Sequence, residues 1–267
     1  MGWVVAIPSY NRVDTLKAKT LSVLKEYGIP KSKIHVFVAN SDEEQLYKAA
    51  IQEDVGHIIV GIKGLAEVRN FIFDYFPKGQ QIVFMDDDVR GIIEYDAGAK
   101  RHERKLPLDG LEGVFERGFS ECKAAGARLW GIYPSANGFF MKPTVTTDLR
   151  FIIGSFWGCI NPGNDTKYLL KLGGEKEDYQ RTIQFWEADG AVVRLNFISV
   201  KTAYYKEPGG MQDTVGGRVV KQRKTVKAMI KRWPQYIKMN PRRKSGYPEI
   251  LLVKQTMPKD LTRKIKK

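Results

Sequence analysis

Apolar residues in the first ninety positions fall into short blocks that switch between two periods. Trp3 to Ile7 is an unbroken, β-rich apolar run stopped by Pro8, and Ile34 to Ala39, His57 to Gly61 and Gln81 to Met85 repeat the type. Between them the spacing is helical. Leu16, Leu21, Leu24 and Tyr27 mark a helix over Asp14 to Tyr27 with Asp14 as its N-cap, and Asp42 to Gln52 and Ala66 to Tyr75 read as further helices. Strands that are apolar on both faces and alternate with helices predict a parallel sheet covered on both sides. Ligands of such sheets bind beyond the carboxyl ends of the strands, so the polar residues after each strand are where chemistry is sought.

Beyond residue 90 the pattern is less regular. Leu111, Val114, Phe115, Phe119 and Cys122 share one side of a helix over Leu111 to Ala125. Leu129 to Tyr133, Phe151 to Ile160 and Val192 to Val200 read as strands, and Glu177 to Ala188 as a helix. Gly209-Gly210 and Gly216-Gly217 bracket a predicted mobile loop, and Gly209-Gly210-Met211-Gln212 within it reads as a lid. No internal repeat or long low-complexity run interrupts the chain. The reading is α/β, with residues 1–214 as a catalytic domain and 215–267 as an extension that packs on it or flanks it.

With 43% hydrophobic and 28% charged residues over 267 positions, the chain can bury a core without disulfide or metal staples. Cys122 and Cys159 sit among apolar neighbours without metal-ligand spacing and read as core thiols of a reducing compartment. No apolar run reaches the roughly 18–20 residues that span a bilayer, and the stretch before Pro8 is too short for a signal peptide. A cytoplasmic location is expected. Charge changes the picture more. The net is +14, yet Val215 to Lys267 holds 17 Lys and Arg against Glu249 and Asp260, a net of +15, and the rest nets −1. A near-neutral body with a basic tail points to a polyanionic partner, nucleic acid or an anionic membrane, with a solubilising tail as the alternative. Lys221, Arg223, Lys224, Lys231, Arg232, Arg242, Arg243 and Lys244 are the candidate contacts, with Trp233, Tyr236 and Tyr247 interleaved.

The candidate chemistry begins where Ile82-Val83-Phe84 runs into Met85-Asp86-Asp87-Asp88-Val89. Three consecutive carboxylates repel one another and are tolerated where a cation neutralises them. Mg²⁺ or Mn²⁺ would take one or two carboxylates plus substrate phosphates. The bland alternative is a solvated acidic turn or a helix cap. The first strand ends in Pro8-Ser9-Tyr10-Asn11-Arg12, where Tyr10 can stack on a nucleobase and Arg12 can pair with phosphate. Lys63-Gly64, followed by Arg69 and Asn70, opens a helix whose start suits a diphosphate. Each of these two segments alone reads as an ordinary loop.

Taken in order, "AIPSYNR", "KGLAEVRN" and "FMDDDV" after strands one, three and four resemble the glycosyltransferase A fold. The resemblance implies that the acidic motif holds a divalent metal and a nucleotide-sugar. By that pattern Pro8, Ser9, Tyr10, Arg12, Lys63, Gly64, Arg69, Asp86 and Asp87 contact the donor, and Asp86 and Asp88 ligate the metal. Gly173-Gly174-Glu175-Lys176-Glu177-Asp178-Tyr179 is similar to the Glu-Asp motif of inverting members, which makes Asp178 the base and Glu177 its positioner or a sugar contact. "WGIYPSAN", "GSFWGCIN", "GGEKEDYQRT" and "YYKEPGGMQ" extend the resemblance to base J glucosyltransferases and to phage glycosyltransferases associated with Tet-type dioxygenases. These imply transfer, from UDP-glucose or a similar donor, to the hydroxymethyl group of a modified pyrimidine in double-stranded DNA. The chain departs from the pattern in one respect. Many metal-dependent members use a late histidine ligand, and here His35, His57 and His102 all come early.

Trp157, Asn161, Tyr133 and Asn137 are candidates for the sugar and acceptor walls, with core packing as the alternative for Trp157. Three rival functions remain. A glycan- or lipid-directed glycosyltransferase would use its tail on an anionic membrane. A nucleotidyltransferase would call for a glycine-rich turn where this chain has Pro8-Ser9-Tyr10. A non-enzymatic nucleic-acid-binding protein would leave Asp86 to Asp88 unexplained.

Overall fold

The computed structural model describes residues 2–202, 217–241 and 248–255. Strands β1 (Trp3–Pro8), β2 (Ile34–Val38), β3 (His57–Val60) and β4 (Gln81–Met85) are parallel and lie side by side in the order β3-β2-β1-β4. The helices between them fall close to the expected positions. Val13–Leu16 (α1) and Ser22–Glu26 (α2) flank a π-helical turn at Lys17–Leu21, and α3 (Ser41–Ile51) and α4 (Leu65–Tyr75) follow. Asp14 is not the N-cap. Arg12 holds that position, and Asp14 lies in the first turn.

After β4 the chain leaves the parallel pattern. Strands β5 (Gly91–Tyr95) and β6 (Glu103–Lys105) form a small antiparallel sheet that periodicity did not reveal. Helix α5 (Gly110–Ala125) leads to β7 (Leu129–Ile132), the short β8 (Val145–Thr146) and β9 (Phe156–Ile160). β9 enters the large sheet antiparallel to both neighbours, β4 and β7, and its first residues therefore arrive beside the carboxyl end of β4. The strand expected over Phe151 to Ile160 is shorter because residues 151–155 bend to meet the acidic turn. Helix α6 (Glu177–Asp189) precedes β10 (Val193–Leu195) and β11 (Ile198–Lys201). The single strand expected over Val192 to Val200 is thus two, one in each sheet. Among the described residues the large sheet has eight strands, ordered β3-β2-β1-β4-β9-β7-β10-β8.

Alternation along each strand divides the core in two. Val5, Ile7, Val83 and Met85 face one cluster, which α2, α3 and α5 cover through Leu24, Tyr47 and Phe115. Ala6, Ile82 and Phe84 face the other, which α4 and α6 cover through Ile72, Phe73 and Phe185. Both faces being buried explains why the strands read as continuous apolar runs. Cys122 and Cys159 are buried and unpaired.

Helix α7 (Gly217–Arg232) and the hairpin of β12 (Ile237–Met239) and β13 (Ile250–Leu252) form the described part of the basic extension. Its apolar side is satisfied by the body. Val226, Met229 and Trp233 pack with Ile183 of α6, and the Trp233 indole donates to Glu187 at 2.8 Å. Trp233 is therefore a core residue, not an aromatic interleaved with charge on a binding face.

The Trp130 ring of β7 is wedged between two glycines. A Cβ on Gly118 of α5 would lie 2.3 Å from it, and one on Gly158 of β9 would lie 2.4 Å away. With the ring held from both sides, Gly158→Ala is expected to destabilise the fold by about 1–3 kcal/mol through overpacking. Chemical denaturation would show this as a lower midpoint at unchanged slope.

Candidate active site

The polar residues after β1 and β4 meet at one edge of the sheet. Ser9 donates to Asp87 Oδ2 at 2.8 Å and bonds Tyr47 Oη of α3 at the same distance. The Arg12 guanidinium reaches Asp87 Oδ1 at 3.2 Å. Asp87, buried and so engaged, holds the first turn to the fourth strand. Ser9, Arg12 and Asp87, expected on the donor, spend these contacts on one another as a clamp between the two turns. The clamp has a second layer that sequence reasoning missed. Asn11 has φ 54°, and its amide donates to Glu43 Oε1 at 2.7 Å. Glu43 also accepts from the Ala39 amide and is itself held by the N-cap Asn40.

Thr20 supports the acidic turn from below. Its hydroxyl donates to the Asp86 carbonyl at 2.7 Å and accepts from the Val89 amide at 3.0 Å. Thr20 lies in the π-helical turn, a local widening that frequently sits at functional sites. The Asp86 amide donates to the Ser155 carbonyl at 3.0 Å, so the bend before β9 fixes the same turn from the other side.

Arg69 is the largest departure from expectation. It was assigned to the diphosphate, but its guanidinium is 2% exposed. It donates to Asp86 Oδ1 at 3.2 Å, to the Gly154 carbonyl at 3.1 Å and to Glu177 Oε1. Glu177 in turn accepts from Arg181 at 2.6 Å, and Arg181 stacks 3.9 Å over Trp157. Glu177 is therefore sealed between two guanidiniums and does not touch a sugar. Trp157 is fully buried and stacked on Phe84 with ring centroids 4.0 Å apart, and Asn161 is buried under the carbonyls of Phe73, Phe76 and Pro77. Neither forms a substrate wall. Asn70 exchanges two hydrogen bonds with the backbone of Leu170 and is likewise structural. Phe84, Trp157 and Arg181 lie in segments that carry the resemblance, but nothing in the sequence pattern showed that they stack on one another.

What opens toward solvent is a smaller set. Lys63 places its ammonium 4.7 Å above the Tyr10 ring, so two expected donor residues meet across the sheet edge. Pro8 ends β1 in register with Phe37. Gly64 has φ 115°, and a Cβ there would collide with the Glu67 carboxylate, so the turn into α4 requires glycine. Asp86 keeps 37% of its side chain exposed. Burial raises its carboxyl to about 7; Arg69 opposes this, and Asp88 and Asp87 add to it. Burial also raises Asp87 to about 6 against the pull of Arg12 and Ser9. Burial and the neighbouring carboxylates thus disfavour ionisation of Asp86 and Asp87, and a divalent cation beside them would favour it. Among the described residues no cluster of three or more His, Cys, Asp and Glu could hold a metal by itself. The fit is to an ion held by Asp88 and Asp86 that keeps phosphate and water ligands.

Asp178 follows Glu177 directly, at the start of α6. Lys176 before it is left-handed, with φ 58°, a strained conformation of the kind found at functional sites. Burial, reinforced by Glu177, raises Asp178 to about 6. A carboxylate at that value is ionised at neutral pH and basic enough to take a proton.

Neither a protein-family model nor a curated protein matches the sequence. Among solved structures, glucosyl-3-phosphoglycerate synthase from Mycobacterium tuberculosis, in complex with Mn²⁺, UDP-glucose and phosphoglyceric acid, aligns with a TM-score of 0.50 at 11% identity, over 90% of this chain and 84% of that one. S. aureus TarS 1–349 aligns with a TM-score of 0.49 at 14% identity, over 73% of this chain and 58% of that one. The mannosyltransferase PcManGT from Pyrobaculum calidifontis aligns at 0.37 and 14%, over 59% and 44%. The chain has the glycosyltransferase A fold.

The two-sided pairing of Glu177 separates it from Asp178. Glu177→Gln leaves two buried guanidiniums short of a counter-charge and is expected to cost about 3–5 kcal/mol of stability. Asp178→Asn is expected to leave the denaturation midpoint close to that of the parent. Paired urea titrations check both.

Proposed function

We propose that this chain is an inverting, metal-dependent glycosyltransferase that moves a sugar from a nucleotide-diphosphate donor to a hydroxymethyl pyrimidine in DNA. The observation that carries the enzymatic reading is the single chain Asp86–Arg69–Glu177, which brings the acidic turn and the neighbouring Asp178 onto one wall. Tyr10 and Lys63 receive the nucleotide. A divalent ion, held by Asp88 and Asp86, supplies charge neutralisation for the departing diphosphate. Asp178 takes the proton of the acceptor hydroxyl as its oxygen bonds to the anomeric carbon and the bond to the nucleoside diphosphate breaks. The neighbour that holds Mn²⁺ and UDP-glucose supports this donor chemistry.

The DNA acceptor rests on the charge of the extension and on the sequence resemblance. Lys221, Arg223, Lys224, Lys231 and Arg232 are exposed on α7, whose other side packs on α6. Arg242, Arg243 and Lys244, and the glycine-flanked lid at Gly209 to Gln212, lie outside the described residues. The membrane alternative shares these charges. No helix of the described residues is long and apolar enough to cross a membrane.

Two measurements follow. Asp178→Asn is expected to lower turnover by ~10²–10⁴-fold while donor binding persists. Because the base must be ionised, turnover of the parent should fall as pH drops through about 6. Retained turnover in the variant would reduce Asp178 to a helix cap. For the acceptor, duplex oligonucleotides carrying 5-hydroxymethylcytosine or 5-hydroxymethyluracil are incubated with UDP-glucose and the nucleosides analysed by mass spectrometry. Glycosylated nucleoside is expected, and it should vanish with excess chelator or Asp88→Asn. Anionic vesicles that compete for the protein where duplex DNA does not would favour the membrane reading.

A further inference from the structure

The small sheet forms one wall of a cleft that no step above uses. It has a volume of about 610 Å³ and is lined by Arg90, Arg101, Glu103, Ala136, Val200, Lys201 and Thr202. Three cations face one carboxylate there, in a body that is otherwise near neutral. The carboxylate is already committed. Glu103 Oε2 accepts from the Gly138 amide at 2.9 Å, while Oε1 lies 3.8 Å from Arg101 and 3.9 Å from Lys201. Those long pairings leave the two cations turned to water, Arg101 at 69% and Lys201 at 54% exposed. Arg90 is fixed by donating to the Thr202 carbonyl at 2.8 Å. The cleft is therefore a preformed, net-positive concavity, and Glu103 spaces its cations without cancelling them.

Its position gives the charge a purpose. Arg90 is two residues beyond Asp88, so its Cα lies within about 7 Å of the aspartate's. Val200 and Lys201 pair with Ile92 and Gly91 directly after it. Phe139 and Phe140 follow Gly138 and are 58% and 62% exposed, with the Phe139 ring 5.3 Å from His102. A group seated among Arg90, Arg101 and Lys201 would hold the remainder of its molecule beside the acidic turn.

We propose that this cleft is the acceptor's anion subsite. It takes a phosphate or phosphodiester group attached to the acceptor and thereby presents the acceptor's hydroxyl to the donor. The inference deepens the glycosyltransferase reading and rests on it for the word acceptor. The chemistry it needs is that guanidinium and ammonium groups bind phosphate oxygens by charge-assisted hydrogen bonds.

The test uses the full chain and Arg101→Gln/Lys201→Gln, whose positions are exposed and outside the donor site. Inorganic phosphate is titrated into ¹⁵N-labelled protein. Saturable shifts of the Gly138, Lys201 and Thr202 amides are expected in the parent and are expected to disappear in the double variant. With an oligonucleotide acceptor, the double variant should raise KM about tenfold or more, the loss of one or two charged contacts. Hydrolysis of UDP-glucose in the absence of acceptor should stay within about twofold. Competition separates the sources. An oligonucleotide that displaces phosphate far better than a mononucleotide assigns the group to a polynucleotide backbone, and equal displacement assigns it to a phosphate monoester on a small acceptor. Parent amides that do not move in high millimolar phosphate, or that move equally in the double variant, would overturn the subsite. If the parent neither hydrolyses nor transfers the donor, the glycosyltransferase reading fails by itself, and the phosphate titration still decides the cleft.

Discussion

Arg69 leaves α4, passes under the carboxyl edge of the sheet and ends between carboxylates from two other elements, Asp86 and Glu177. A guanidinium withdrawn from water is tolerated only with its charge and donors matched. Three pieces of chain supply partners to its two terminal nitrogens: the acidic turn, the Gly154 carbonyl ahead of β9, and α6. Arg181 repeats the arrangement from the other side of Glu177, with its head against Trp157. Burial lowers Arg181 to about 10, still protonated at neutral pH, so the interior holds two cations around one sealed carboxylate and one partly open one. Removing any member strands the others, which makes this network a stronger determinant of site geometry than any single hydrogen bond at the surface.

The acidic turn is consequently held on three sides. Arg69 and Ser155 hold it laterally, and Thr20 holds it from below. Asp87 is tied back to Ser9 and Arg12. Of three consecutive aspartates, the middle one is a buried clamp, and the two flanking it keep part of their surface open. β4 ends at Met85, and the turn that follows directs Asp86 and Asp87 to different neighbours, Arg69 and Arg12.

The elements were largely legible because β1, β2 and β4 are buried on both faces and the helices between the strands are amphipathic. Gln81 to Met85 matches β4, and the first helices differ by a residue or two. What was not legible depended on distance. The antiparallel insertion of β9, the split at Asn196 and Phe197, and the small sheet are decided by partners far along the chain. The site followed the same division. Tyr10, Lys63, Asp86, Asp88 and Asp178 keep part of their surface open and stay candidates. Arg69 and Asn161 read as ligand contacts, and Glu177 and Trp157 as open between contact and support, because the sequence gives residue type and not exposure. Thr20, Glu43 and Arg181 announce themselves only through partners 32 to 66 residues or one helical turn away.

The sequence separation of 108 between Arg69 and Glu177 sets an order of events during folding. Long-range pairings are reached late, because the entropy of closing a large loop is lost before the contact forms. During synthesis the strands β1 to β4 can assemble while Arg69 and Asp86 remain hydrated at an unfinished edge. Only when the chain has been made through α6 does the edge close and water leave it. The candidate site is then a late seam, closed before only the α7 extension docks on α6, and a chain stopped short of residue 177 would expose a charged groove where the finished protein has a wall.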